Sequence, residues 1–425
     1  MNQPHDAPEV SGGAEDPTVP RENSLSITNT ASDHATVGAQ IGMLTGNAVF
    51  RQTAERMQNI LHLLLPRSVR IAVISLVVCV LAAGGGWAIV AWLLPALAPT
   101  YKTEFLIDTT AGTAANGPQT IANSLKTVVE DSGDHDALAL RSFGGQCGAE
   151  NNTTQLVGFG TDNRGDITQA SGGVREGSKA TLLRGIVQAV EDFSQPFAQR
   201  ATQVNRVIVV TRHGTDACDD DTAFVEKEIR NRIAAAGLAI EFRLIGYQVP
   251  DNQHDQLNQI ATAAGAPDPL FVKTPSELDG ALHWFTNLEP VLHDAQEIIN
   301  ILNPAVERVN TAVKAIDDGR LDVAENTLNQ ARSAITNTDT QFDDLQSRIK
   351  TPEAQDLHNR ASQLRAQQGR VVAAAADLLA TARSRSPLDP QLTAFKQVAT
   401  DYNTEVKSMN EALTALRAKA PAGQQ

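Results

Sequence analysis

Between Ile71 and Tyr101 the chain carries no charged side chain, and this run constrains the fold more than any other feature. A helix needs about 20 apolar residues to cross the hydrocarbon core of a bilayer. The run IAVISLVVCVLAAGGGWAIVAWLLPALAPTY has that length with room for tilt, and it is apolar on every face rather than along one stripe. Trp87, Trp92 and Tyr101 fall in its second half, where aromatic rings settle at a membrane interface. Pro95 and Pro99 end the helix near the far face. The reading is one transmembrane helix over 71–100. A buried core helix is the alternative, but core helices of this length and apolarity are rare. A cleaved signal peptide fits poorly, because the run is too long and a long polar segment precedes it.

The flanks set the orientation. Arg51, Arg56, Arg67 and Arg70 precede the run, whereas Lys102, Glu104 and Asp108 follow it. Basic residues stay on the cytoplasmic side, so the expectation is a cytoplasmic N-terminus with everything beyond about residue 102 extracytoplasmic. The three glycines at 84–86 serve either as a close-packing face for a partner helix or as a flexible spot; homo-oligomers through that face are one expectation.

The formal net charge of −14 argues against nucleic acid as a partner, because phosphate binding needs a basic surface. Three cysteines are present. Cys79 lies in the span, whereas Cys147 and Cys218 lie in the outer part, where an oxidising compartment lets them pair. A Cys147–Cys218 disulfide is therefore expected, the other reading being two buried thiols.

Composition divides the rest. Residues 1–34 are polar and poor in large apolar side chains, a disordered cytoplasmic tail by composition. Within 35–70, a period-two stretch at 35–50, with Val37, Ala39, Ile41 and Met43 alternating with Gly and polar residues, reads as a short β element, an ordered turn being the alternative. It resembles a Gly-containing element that precedes effector or membrane segments in some bacterial multidomain proteins. Thr53 to Leu65 then reads as a juxtamembrane helix.

From 103 to 287 strand and helix signals alternate. EFLIDTT, ALALRSFGG, QLVGFG, RVIVVT, IEFRLIGYQV and PLFVKT read as strands. IANSLKTVVED, TLLRGIVQAVEDF, DTAFVEKEIRNRIAAAG, QLNQIATAAG and PSELDGALHWF read as helices. Continuous apolar strands between helices predict an α/β fold, a doubly wound and mainly parallel sheet covered on both faces. Ligands of such sheets bind at the carboxyl ends of the strands. From 288 to 420 Pro and Gly become sparse, and breakers at 317–319, 350–352 and 386–390 mark four helices of about 30 residues each. Leu321, Ala324, Leu328, Ala331 and Ile335 form a narrow Ala-rich stripe, the pattern of a helical bundle or coiled coil. This segment resembles a tetratricopeptide hairpin, but the period is not sustained. Residues 421–425 are a tail. With a short tether before it, the α/β domain is expected close to the bilayer and the bundle is expected to reach outward.

Asp108-Thr109-Thr110-Ala111-Gly112 closes the first strand, Thr181 precedes a helix, and Thr211-Arg212-His213-Gly214 closes the fourth strand; on these residues the segment 103–287 resembles the von Willebrand factor type A domain family. That family ends its first strand in D-x-S-x-S, and here Asp108-Thr109-Thr110-Ala111-Gly112 stands in that place. A later loop supplies a Thr before a helix, matched by Thr181, and the fourth core strand ends in S/T-D-G, matched by Thr211-Arg212-His213-Gly214 with Cys218 after it. Cys147 in LRSFGGQCG fits the disulfide-bearing bacterial branch. The resemblance implies a metal-ion-dependent adhesion site, in which Mg²⁺ takes near-octahedral oxygen ligands and leaves one position for a partner's carboxylate. Asp108, Thr110 and Thr181 match its ligands. Gly112 has no ligand side chain, and Arg212 stands where an acidic residue is expected. The resemblance is therefore to a degenerate site. Arg212 is expected in the space of the metal, paired with Asp108, leaving a partner surface formed by Asp108, Thr110, Thr181 and Arg212 without a cofactor; Mg²⁺ at a degenerate site is the alternative.

No catalytic set accompanies these residues. His213 next to Asp216 lacks a nucleophile motif and reads as a solvent-facing loop histidine. Asp219, Asp220 and Asp221 lack the spacing of a calcium loop and suit the start of a helix. The expectation is a non-enzymatic, membrane-anchored binding or scaffold protein with a protein or cell-envelope partner. The alternative is a sensor that passes a signal through the span to the cytoplasmic element.

Overall fold

The structure, a computed structural model, describes residues 101–110, 117–149, 152–174, 176–193, 203–219 and 221–421. The tail over 1–34, the elements over 35–70, the apolar run up to residue 100, and Gly112 lie outside the described residues. Among the described residues no helix is long and apolar enough to cross a membrane.

Six strands form one sheet: β1 (Tyr101–Asp108), β2 (Ala137–Phe143), β3 (Thr153–Gly160), β4 (Val204–Thr211), β5 (Ile240–Tyr247) and β6 (Leu270–Val272), in the order β3-β2-β1-β4-β5-β6. Every neighbouring pair is parallel except β2 with β3, a near-hairpin whose loop carries Cys147. The central strands are continuous apolar runs because both faces are covered. Phe105 sits opposite Leu140 on one side and Ile208 on the other, and all eight residues of β1 are buried.

Alternation along β1 sends side chains to two cores. Phe105 and Ile107 join the layer formed by α1 (Gly117–Glu130), α2 (Arg164–Gly172) and α6 (Pro275–His283). Leu106 joins the layer of α3 (Leu182–Asp192), α4 (Thr222–Ala236) and α5 (His254–Ala263). Helix α1 buries Ile121, Leu125, Val128 and Val129, the three- and four-residue spacing that read as a helix. The side chain of Asp221 accepts from the Phe224 amide at the start of α4, and Gly237, with φ of 62°, ends it in the left-handed region. Helix α2 carries no such stripe, burying only Ile167 and Ser171, and the sequence reading passes over it.

Three expectations change. Tyr101, read as an interfacial aromatic of the apolar run, opens β1 and is 1% exposed, because Val204 pairs with it across the ladder and two guanidiniums cover its ring. At the boundary placed near 288 the chain does not break. Helix α6 runs through a π-helical turn, Trp284–Leu288, directly into α7 (Glu289–Asp317). The second of the four expected long helices is two: α8 (Leu321–Thr336) and α9 (Asp339–Ser347). Thr338, fully buried, turns the chain between them and donates its hydroxyl to the Ile335 carbonyl.

Helices α10 (Pro352–Arg383) and α11 (Asp389–Arg417) complete the bundle. The helices bury their apolar stripes on one another within the chain, so the Ala-rich pattern serves a bundle. One apolar core runs without a gap from the sheet through Leu282, Phe285 and Leu288 into Val291, Ile298 and the bundle. A charged cluster seals the same junction. Arg348, between α9 and α10, donates two bonds of 2.6 Å to Asp136 before β2 and one of 2.6 Å to Asp294 of α7. Its guanidinium lies 4.4 Å from the centroid of the Tyr101 ring. Arg206 of β4 adds contacts to Glu241, Glu289 and the Phe285 carbonyl. The bundle is therefore fastened to the amino ends of the strands and is not an arm free to reach outward.

Candidate functional site

The strand order reverses direction between β1 and β4, the switch point at which open α/β sheets bind ligands beyond their carboxyl ends. Asp108 ends β1 there, and Thr211 ends β4 beside it, with Arg212 and His213 following in the loop. Asp108 is 1% exposed, and donors surround its carboxylate. Oδ1 accepts from the Thr110 amide at 2.9 Å and the Thr110 hydroxyl at 2.5 Å. Oδ2 accepts from the Arg212 amide at 2.9 Å and lies 3.1 Å from His213 Nδ1 and 3.4 Å from the Thr211 hydroxyl. A buried carboxylate is tolerated only with this degree of hydrogen bonding.

Sequence reasoning places the side chain of Arg212 in the metal's space. The structure instead brings Arg212 to Asp108 through its backbone amide, and Nη1 donates to the Thr110 carbonyl at 3.1 Å. The guanidinium lies over Gly117, where a Cβ would collide with it. The ring that reaches between Asp108 and Thr110 belongs to His213, 3.1 Å from each. Read in the sequence as solvent-facing, this histidine points inward, with its side chain only 25% exposed. The usable signal was its place within the Thr211-Arg212-His213 motif. Its neighbour Asp216 is not its partner: that carboxylate accepts from the Leu183, Cys218 and Asp219 amides. Burial raises the Asp216 carboxyl above its ordinary range, against the pull of those three amides.

Thr181 is held one loop away. It donates to the Asn152 carbonyl at 2.7 Å and accepts from the Gly144 amide at 3.1 Å. Gly144, at φ of +130°, packs so close to Thr109 and Thr110 that a side chain there would strike both. Asp108, Thr110 and Arg212 thus form one cluster, with Thr181 in its wall. All four are at most 3% exposed, so in this structure they position the surface and do not themselves make it.

The surface is a crown of three loops. Gly145 and Lys179 exchange two backbone bonds of 3.0 Å, and the Ala217 amide donates to Ala180 at 2.7 Å. The Cys147–Cys218 disulfide, with Cα atoms 5.2 Å apart, staples the first loop to the third. The acidic run after Cys218 behaves as a helix start, Asp221 capping α4.

The donor set does not fit Mg²⁺. That ion demands about six oxygens in octahedral array at about 2.1 Å. Here both carboxylate oxygens of Asp108 are already engaged, the Thr181 hydroxyl is turned to backbone, and a guanidinium adjoins Thr110. Among the described residues no group of three or more His, Cys, Asp or Glu side chains is placed to hold a metal ion.

No known family profile matches the chain, and no curated protein matches it. Solved structures do. The α/β domain is similar to von Willebrand factor type A domains. One such domain, from Catenulispora acidiphila, matches with 17% identity and a TM-score of 0.35, over 44% of this chain and 42% of its own. The pilus adhesin SpaC of Lactobacillus rhamnosus GG matches with 10% identity and a TM-score of 0.36, over 44% of this chain and 30% of its own. The von Willebrand factor domain of a type V pilus tip protein from Porphyromonas gingivalis matches with 10% identity and a TM-score of 0.34, over 44% of this chain and 94% of its own. The chain thus spans less than half the length of the first two.

Proposed function

We propose that this chain is a non-enzymatic, adhesion-type binding protein whose loop crown meets a protein or cell-envelope partner without a metal. The observation that carries the reading is the crown: three loops at the switch point, stapled by a disulfide and fixed from beneath by the Asp108 cluster. Loops held this rigidly lose little entropy when they bind. A disulfide also suits an extracytoplasmic compartment, in keeping with the apolar run as a single-pass anchor and a cytoplasmic N-terminus.

The test is capture of envelope proteins by the full-length chain. Capture is expected to be lost in Asp108→Ala, shown folded by circular dichroism, and kept in Lys407→Ala, which alters an exposed side chain of α11. Equal capture by both variants would overturn the proposal.

A further inference from the structure

We propose that His213 is the built-in occupant of the cation position in this site, and that its Nε2 is the atom the site offers to a ligand. The inference rests on the adhesion-type reading of the crown and assigns to a side chain the role that such a site gives to an ion.

A cation at this place would join the Asp108 carboxylate to the Thr110 hydroxyl. The imidazole does that joining, with Nδ1 3.1 Å from Asp108 Oδ2 and 3.1 Å from Thr110 Oγ1. Since the Thr110 hydroxyl donates to Asp108 Oδ1, its lone pairs are free to accept. The consistent assignment puts the proton on Nδ1, shared between the carboxylate and the hydroxyl oxygen.

The backbone aims the ring inward. The Thr211 hydroxyl donates to the His213 carbonyl at 2.7 Å and accepts from the His213 amide at 3.1 Å. The next residue, Gly214, donates to Gln253 Oε1 at 2.8 Å and approaches the Gln253 backbone too closely for any side chain. His213 is thus clamped on both sides, and its χ angles alone are left to place the ring. With Nδ1 committed, the polar atom remaining on a ring that is 25% exposed is Nε2. A ligand group meeting the centre of the crown therefore meets a nitrogen fixed in direction by Asp108, the arrangement by which a carboxylate orients a histidine toward whatever its other nitrogen binds. With the proton on Nδ1, Nε2 accepts a hydrogen bond from the ligand, so the contact is indifferent to chelators.

Mn²⁺ added to the full-length chain is the probe, read by isothermal titration and by the shift in melting temperature. The wild type is expected to show neither binding nor a shift, and EDTA is expected to change nothing. The double variant Arg212→Asp with His213→Gly removes the imidazole and supplies a second carboxylate. It is expected to bind Mn²⁺ at least tenfold more tightly than the wild type, and Asp108→Asn in that background is expected to abolish the binding. Wild-type binding of Mn²⁺ that disappears in Asp108→Asn would overturn the proposal. So would a double variant that melts cooperatively yet binds no Mn²⁺. The wild-type measurement decides even if the double variant fails to fold. None of these readouts depends on partner capture, so failure of the adhesion reading is seen separately.

Discussion

Glu104 shows what a single residue has to tolerate in the centre of this sheet. It lies in the middle of β1 with 0% exposure. Its nearest cation, Arg141, approaches to 3.4 Å but is committed to Asp192 through bonds of 2.8 and 2.5 Å. Burial raises the Glu104 carboxyl well above the ordinary range, the Asp192 charge adds to this, and Arg141 opposes both. The folded value therefore exceeds the unfolded one, about 4.3. Its contribution to stability is present in full below that unfolded value and is lost as pH rises through the folded value. Glu104→Gln should flatten the decline of stability between acidic and neutral pH, as read by urea unfolding at several pH values; identical slopes for the two proteins would refute it. Such pairings were not legible beforehand. Asp108, Thr110, Thr181 and Arg212 stood out because each falls in a short motif. Glu104 with Asp192, and the inward turn of His213, depend on side chains that only the folded sheet brings together.

At the scale of elements, the strands and most helices were legible because burial on two faces leaves continuous apolar runs and burial on one leaves stripes. Helix α2 escaped because it buries so little, and the break between α8 and α9 escaped because Asn337 and Thr338 are weak breakers compared with Gly or Pro. The crown is a property of loops tied to one another, and the disulfide is its longest tie, with a sequence separation of 71. Closing a loop of that length removes up to about 4 kcal/mol of unfolded-state entropy on a chain-entropy basis. Cys147→Ser with Cys218→Ser should cost about 2–4 kcal/mol in thermal unfolding. Hydrogen exchange should rise in the loops around 144–149 and 213–219 and stay unchanged in β1. Uniform exchange across the sheet would contradict the assignment of the disulfide to the crown.

Across the whole molecule, the α/β domain and the bundle share one apolar core and one buried charge cluster. Composition changes near residue 288 and so marks two units in the sequence, yet composition says nothing about the faces that meet. Arg348 is the test of their union. Removing it leaves Asp136 and Asp294, 2% and 3% exposed, without their cation. Breaking a buried pair by deleting one partner costs about 3–5 kcal/mol. Arg348→Ala should therefore lower the melting temperature and split a single calorimetric transition into two, bundle and domain. A variant that still melts as one unit, with little loss, would show that the apolar core alone joins them.

The position of β1 carries a mechanical consequence. It enters the described fold at Tyr101, beside Arg348, and leaves it at Asp108, beneath the crown, about 23 Å away at a strand's rise per residue. Both of its neighbours are parallel and in continuous register. Tension applied between residue 100 and a ligand held at the crown would load these two ladders lengthwise, so that their hydrogen bonds resist together in shear rather than parting one at a time. The strand that sets Asp108 beneath the crown would then also be the strand that bears the pull.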